Sequence, residues 1–137
     1  MRRLGVKEVI AVRFDEGEEL SESLPRLLEE AEVRAGIISG IGGFSRGAVG
    51  VFDPEKGGYR EVEFNEFMEV ASLNGNVSLK DGKPFYHIHV VLGNERRVLA
   101  GHFLRGKVQG TMEIFITVLD GEIYRRVKRG HLILLDL

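Results

Sequence analysis

Three of the chain's four histidines fall within one short stretch, "FYHIHVVLGNERRVLAGHF", at positions 87, 89 and 102. Side chains alternate across a β-strand, so His87 and His89 on one strand point the same way, with about 6 to 7 Å of strand between them. Two imidazoles at that spacing can converge on one ion. The residues before His102 read as a turn and a return strand, and loop length decides whether His102 joins the pair. A two-residue loop of Asn94 and Glu95, or a four-residue loop with the same pairing, sets His102 opposite His87. A two-residue loop at Glu95 and Arg96 sets it opposite His89. Opposed residues share a face, so either register gathers three imidazoles, whereas a three- or five-residue loop sends His102 to the other side.

Three neutral imidazoles are a natural ligand set for zinc, with a fourth position left for water, substrate or another protein group. Such a centre can lower the pKa of bound water and support hydrolysis, or simply hold structure, and the spacing does not choose between them. The same histidines, flanked by Phe85, Val91, Ala100 and Leu104, also fit ordinary half-buried packing. Glu113, on the next strand, is a candidate to hydrogen-bond a liganding imidazole or to add a ligand, and equally an ordinary surface carboxylate. His131 lies far off in sequence and receives no role.

Other chemistry is sparse. The chain has no cysteine, which excludes disulfides, thiolate zinc sites and cysteine nucleophiles. "GIGGFS" lacks the third glycine of a dinucleotide fingerprint and runs into a strand-like "RGAVGVFD", so no helix N-terminus awaits a pyrophosphate. Close backbone packing in a twisted sheet suits these glycines better. No Gly-x-Ser-x-Gly elbow occurs, and Ser39, Ser45, Ser72 and Ser78 read as structural.

The elements that must position the histidines follow from periodicity. Val9 to Phe14 has the apolar, β-branched character of a buried strand. From Leu20, the residues Leu24, Leu27, Leu28 and Ala31 recur at helical spacing, with Ser21 and Ser23 available to cap and Pro25 expected near the helix start. Beyond Ala35 the pattern is extended and punctuated by glycine: two strands in "GIISGIGGFSRGAVGVFD", further strands in "GYREVEF" and "EFMEVASLNGNVSL", and a turn at "KDGKP". The histidine hairpin follows, then a strand from Val108 to Leu119, a turn at "DGE" and a final "HLILL". The fold class is α+β, with one main helix packed on a large, mostly antiparallel sheet.

The 137 residues suit a single domain spanning 1–137, and a composition 43% hydrophobic and 29% charged is that of a soluble globular chain. The net charge of −2 supplies no field toward nucleic acid or anionic membrane. Local basic groups, Arg96 and Arg97 or Arg125, Arg126, Lys128 and Arg129, read as solvated turns or sheet-edge protection, with nucleic-acid contact as the rival use. No signal peptide and no span of about 20 apolar residues is visible, so the expected compartment is the cytoplasm, without membrane contact.

The blocks "ISGIGGFSRGAVGVFD", "FMEVASLNGNVSLKDGKPFYHIHVVL" and "AGHFLRGKVQGTMEIFI" resemble, in order, those of the plant and prokaryote conserved domain, over roughly Val6 to Leu135. The resemblance implies a sheet of about seven strands with a packed helix, assembled as a homotrimer. It also implies a metal site, zinc, at His87, His89 and His102 near the subunit contacts, in a stand-alone prokaryotic member. Plant members carry the domain after an AT-hook in nuclear DNA-binding proteins, where it mediates association with itself and other factors. That makes a DNA-associated or protein-interaction module without catalysis the alternative function. This chain has no Arg-Gly-Arg-Pro core, so the minor-groove reader is missing. "FMEVASL" is similar to the plant partner-contacting block, with Met68, Glu69 and Val70 in register but without its leading Gly-Arg. The resemblance names no substrate or reaction.

Overall fold

Runs rich in valine, isoleucine and aromatics, broken by glycine, form strands wherever one face can be buried. The computed structural model describes residues 1–137. Its elements are β1 (Val6–Asp15), α1 (Leu20–Glu30), β2 (Gly36–Asp53), β3 (Gly58–Phe64), β4 (Met68–Lys80), β5 (Lys83–Gly93), β6 (Val98–Leu119), β7 (Tyr124–Arg129) and β8 (Leu132–Asp136). The large, mostly antiparallel sheet with one helix is present, with eight strands where about seven were expected. Two expected breaks are absent. Residues 36–53 form one strand rather than two, and the histidine-bearing return strand runs unbroken into the segment expected to start at Val108. Register shifts at Gly42/Phe44, Phe44/Arg46 and Ala48/Val49 bend β2 without interrupting it.

The strand order is β3-β2-β6-β5-β4-β7-β8, with β1 added on β6. Because β4 pairs with β2 as well as with β5, the path β2-β6-β5-β4 closes on itself and the sheet curls into a barrel-like wall. All ladders are antiparallel except one parallel contact, Leu79 to Tyr124. Inside the curl lies a single cluster of 22 buried residues, including Ile38, Phe44, Leu73, Ile88, Phe103 and Ile114.

Gly42 shows why such long strands can cross so closely. A Cβ built there would lie 2.2 Å from the Thr111 carbonyl oxygen, so only glycine allows the approach. The "GIGG" run therefore serves packing, as its lack of a following helix suggested.

α1 places Leu20, Leu24 and Leu28, all fully buried, on one face against β5 and β6. Pro25 sits inside the helix, not at its start, and the cap is Glu19, with no side-chain cap from Ser21 or Ser23. A proline in a helix interior costs about 3 kcal/mol. Each buried leucine returns about 1.5–3 kcal/mol, so the leucine face outweighs it. No helix is long and apolar enough to cross a membrane.

Candidate metal centre

Two hairpins place the histidines. Asp81 and Gly82, at φ of 53° and 80°, make the two-residue turn between β4 and β5 and pair Lys80 with Lys83. Asp-Gly is the pair that tolerates positive φ at both turn positions. The register then sets Asn74 opposite His89 and Asn76 opposite His87.

The second hairpin closes at Gly93 and Val98, leaving the four residues Asn94, Glu95, Arg96 and Arg97 as the loop. The Asn94 side-chain oxygen accepts hydrogen bonds from the backbone N–H groups of Arg96 (2.9 Å) and Arg97 (3.2 Å). This self-bonding asparagine turn fixes the loop. An even loop centred on Glu95 and Arg96 sets His102 opposite His89, the second of the two registers that unite the trio.

All three imidazoles stand on the outer face of the sheet, because Ile88, Val90 and Phe103 between and beside them point into the core. Ring centroids are 5.1 Å apart for His87 and His89, 5.1 Å for His87 and His102, and 5.6 Å for His89 and His102. One nitrogen from each ring lies within 4.8 Å of the others. A tetrahedral zinc with Zn–N near 2.05 Å places its ligand nitrogens about 3.3 Å apart, a difference that swings about χ1 and χ2 can absorb.

His102 Nδ1 is buried and has no hydrogen-bond partner. An orphaned buried nitrogen on a ring clustered with two other imidazoles fits a metal ligand better than a packing residue. Burial, joined by the charges of Arg125 and the other two rings, lowers the His87 pKa to about 4, and burial lowers that of His102 as well. Both rings are thus held neutral near pH 7, the form a metal requires.

The neighbours complete the site. Gly50 on β2 pairs with His102, and the Tyr59 ring from β3 leans over it to lie 5.3 Å from the His102 ring. A Cβ at Gly50 would sit 3.2 Å from Tyr59 Cδ1, so a larger residue there would push the ring away. Phe52 meets Tyr59 edge-on at 5.4 Å, and His131, expected to have no role, stacks on Phe52 at 5.7 Å.

On the opposite flank, Arg125 of β7 donates to Asn76 Oδ1 (2.9 Å) and to the Ile133 carbonyl (3.0 Å), with its guanidinium over the Phe85 ring. Sequence reasoning grouped Arg125 with a solvated basic cluster, yet it is only 9% exposed. Asn74 and Asn76 also went unnoticed, although "NGN" mirrors "HIH" about the Asp-Gly turn and so was readable.

Glu113 is not part of the site. It pairs with Arg13 on β1 and Ile41 on β2, at the far end of β6 from His102. The 22-residue strand carries its two ends to different neighbours, so a shared strand does not mean a shared site. None of the four serines is among the three clustered ligands, although Ser39 pairs with Asn74, the register partner of His89, and the Ser72 hydroxyl accepts a hydrogen bond from the Asn74 amide. Ser78 is wholly buried, and the Ser45 hydroxyl donates to the Lys107 carbonyl at 3.4 Å.

The family model of the Plants and Prokaryotes Conserved (PCC) domain matches residues 1–120. Among solved structures, a metal-containing protein from Archaeoglobus fulgidus shares 37% identity over 98% of this chain and 96% of its own, with a TM-score of 0.90. A plant- and prokaryote-conserved protein from Pyrococcus horikoshii shares 36% identity over 100% of this chain and 96% of its own, at 0.92. A candidate DNA-binding protein from Bacteroides thetaiotaomicron shares 25% identity over 97% and 96%, at 0.87. No curated protein matches the chain.

Proposed function

The chain belongs to the Plants and Prokaryotes Conserved (PCC) domain family, and on that premise we propose that it is a homotrimeric metal-binding protein whose zinc is held by His87, His89 and His102. The observation that carries the reading is the convergence of three imidazoles from two strands, their ligand atoms within 4.8 Å of one another. The metal-containing description of the Archaeoglobus relative supports it. Zinc is preferred because an all-imidazole set with one position free suits a tetrahedral, redox-inert ion. That free position leaves room for either a catalytic or a purely structural centre.

The test is metal analysis of untagged protein, stripped with chelator and reconstituted with zinc. One ion per chain is expected, with at least a tenfold loss of affinity in His87→Ala. Absence of stoichiometric metal after reconstitution overturns the reading.

A second reading, a DNA-associated module without catalysis, takes its support from the description of the Bacteroides relative. The charges here favour it less: the net charge is −2, Arg125 is buried and Arg126 is paired with Asp136 at 2.7 Å. Affinity for duplex DNA no better than that of a neutral control protein at low salt would dismiss it.

A further inference from the structure

Arg125 is the only charged side chain among the buried residues. A buried charge is normally matched by an opposite one, since burial strips its hydration and only a partner restores that loss. Arg125 has no such match. Both of its acceptors, Asn76 Oδ1 and the Ile133 carbonyl, are neutral, and its Nε is buried without any partner. A guanidinium carries five N–H donors, so most of its donor capacity stays uncommitted.

Its position gives this a direction. The residue that Arg125 grips, Asn76, is the direct register partner of His87. The outer-face side chains therefore run across the sheet from Tyr59 through His102, His89 and His87 to Asn76 and Arg125. No carboxylate joins the histidine cluster. Glu61, across Gly50 on β3, is held by Arg105 at 2.8 Å. Three neutral ligands leave a divalent ion its whole charge, and a buried guanidinium beside it adds more of the same sign. Such a site is electrostatically complete only with an anion.

We propose that the open side of the three-histidine centre binds an organic carboxylate, its oxygens between the metal and Arg125 and its apolar body against Tyr59 and Phe52. The inference rests on the metal reading above. Arg125 suits the anion because its planar fork matches a carboxylate and its uncommitted donors are already desolvated. The aromatic pair on the other flank, still 47% exposed at Tyr59 and 42% at Phe52, offers an edge-on apolar wall whose Tyr59 ring lies 5.3 Å from the His102 ring, with His131 stacked on Phe52.

The test uses the full chain loaded with cobalt(II), whose visible absorption reports the ligand in the free position. Titration with benzoate should change the spectrum saturably, acetate should bind at least tenfold more weakly, and inorganic phosphate serves as the non-carboxylate arm. Arg125→Gln should weaken benzoate at least tenfold while cobalt stoichiometry holds, and Tyr59→Ala should bring benzoate close to acetate.

If cobalt loads and no carboxylate alters the spectrum, or if Arg125→Gln binds benzoate as the wild type does, the proposal is overturned while the metal reading stands. Tighter binding of phosphate than of benzoate would also overturn it. If cobalt never loads, the metal reading fails and this inference with it. Should Arg125→Gln not fold, the benzoate-to-acetate ratio in Tyr59→Ala decides: an unchanged ratio overturns the proposal.

Discussion

His87 shows how a single side chain can tie stability to pH. In the unfolded chain it takes up a proton near its ordinary pKa of 6.5, whereas in the fold, burial and the nearby positive charges delay this to about 4. Between those values the unfolded state binds more protons, so stability falls as the pH drops through that window and is fully present above it. The expected outcome is a lower melting temperature for the metal-free protein at pH 5 than at pH 7, with a smaller difference in His87→Gln. Reading the difference above pH 5 separates it from the ion-paired carboxylates Glu61, Glu66 and Glu122, whose pKa values lie below their ordinary value. An identical pH slope in both proteins would refute the assignment. Because the neutral ring is also the ligand form, the same lowering pushes acid release of metal toward lower pH.

At the scale of elements, Gly42 and Gly58 separate glycines the sheet needs from glycines it merely contains. A side chain at Gly42 collides with the facing backbone of β6, while Gly58, at the start of β3, has nothing within 4 Å of an added Cβ. Gly42→Ala should destabilise by about 1–3 kcal/mol, the range for overpacking. Gly58→Ala should stay within about 0.5 kcal/mol. Chemical denaturation of both variants checks this, and equal midpoints would remove the close-approach argument.

The same element scale explains what the sequence disclosed. Hairpins are local, so alternation put His87 and His89 on one face and offered His102 the same face for an even loop; the parity of the loop and the choice between two registers waited on the Asn94 turn. The Asn74 and Asn76 partners were equally local, one Asp-Gly turn away. Arg125 was not. It reaches the site through a single parallel contact between β4 and β7, a pairing no periodicity announces. Strand continuity was illegible for a related reason: glycines that look like breaks in β2 are places where the strand bends and its neighbours come close.

For the whole molecule, the outer face of the curled sheet carries more than the histidines. Ile37 pairs with Asn76, which pairs with His87, so the histidine-bearing face continues onto β2. There and on the adjoining strands Val9, Ile37, Ile41 and Phe115 are each more than half exposed. Val9 and Ile37 share a row through Thr117, and Phe115 lies one row on. Single exposed apolar residues need no explanation, but a contiguous set on a sheet face is the kind of surface that a second copy covers. It is this surface that we assign to the proposed trimer, adjacent to the histidine cluster. Light scattering at micromolar concentration should then give about 46 kDa, three times the chain mass of 15.3 kDa. Phe115→Glu would place a charge in the middle of each contact, where burial without a partner costs several kcal/mol, and should shift the mass toward the monomer. His89→Ala, on the same face but at its histidine end, should leave the mass unchanged if the apolar rank alone holds the copies together. A wild-type monomer would remove the trimer. A trimer that survives Phe115→Glu would move the contact elsewhere on the molecule.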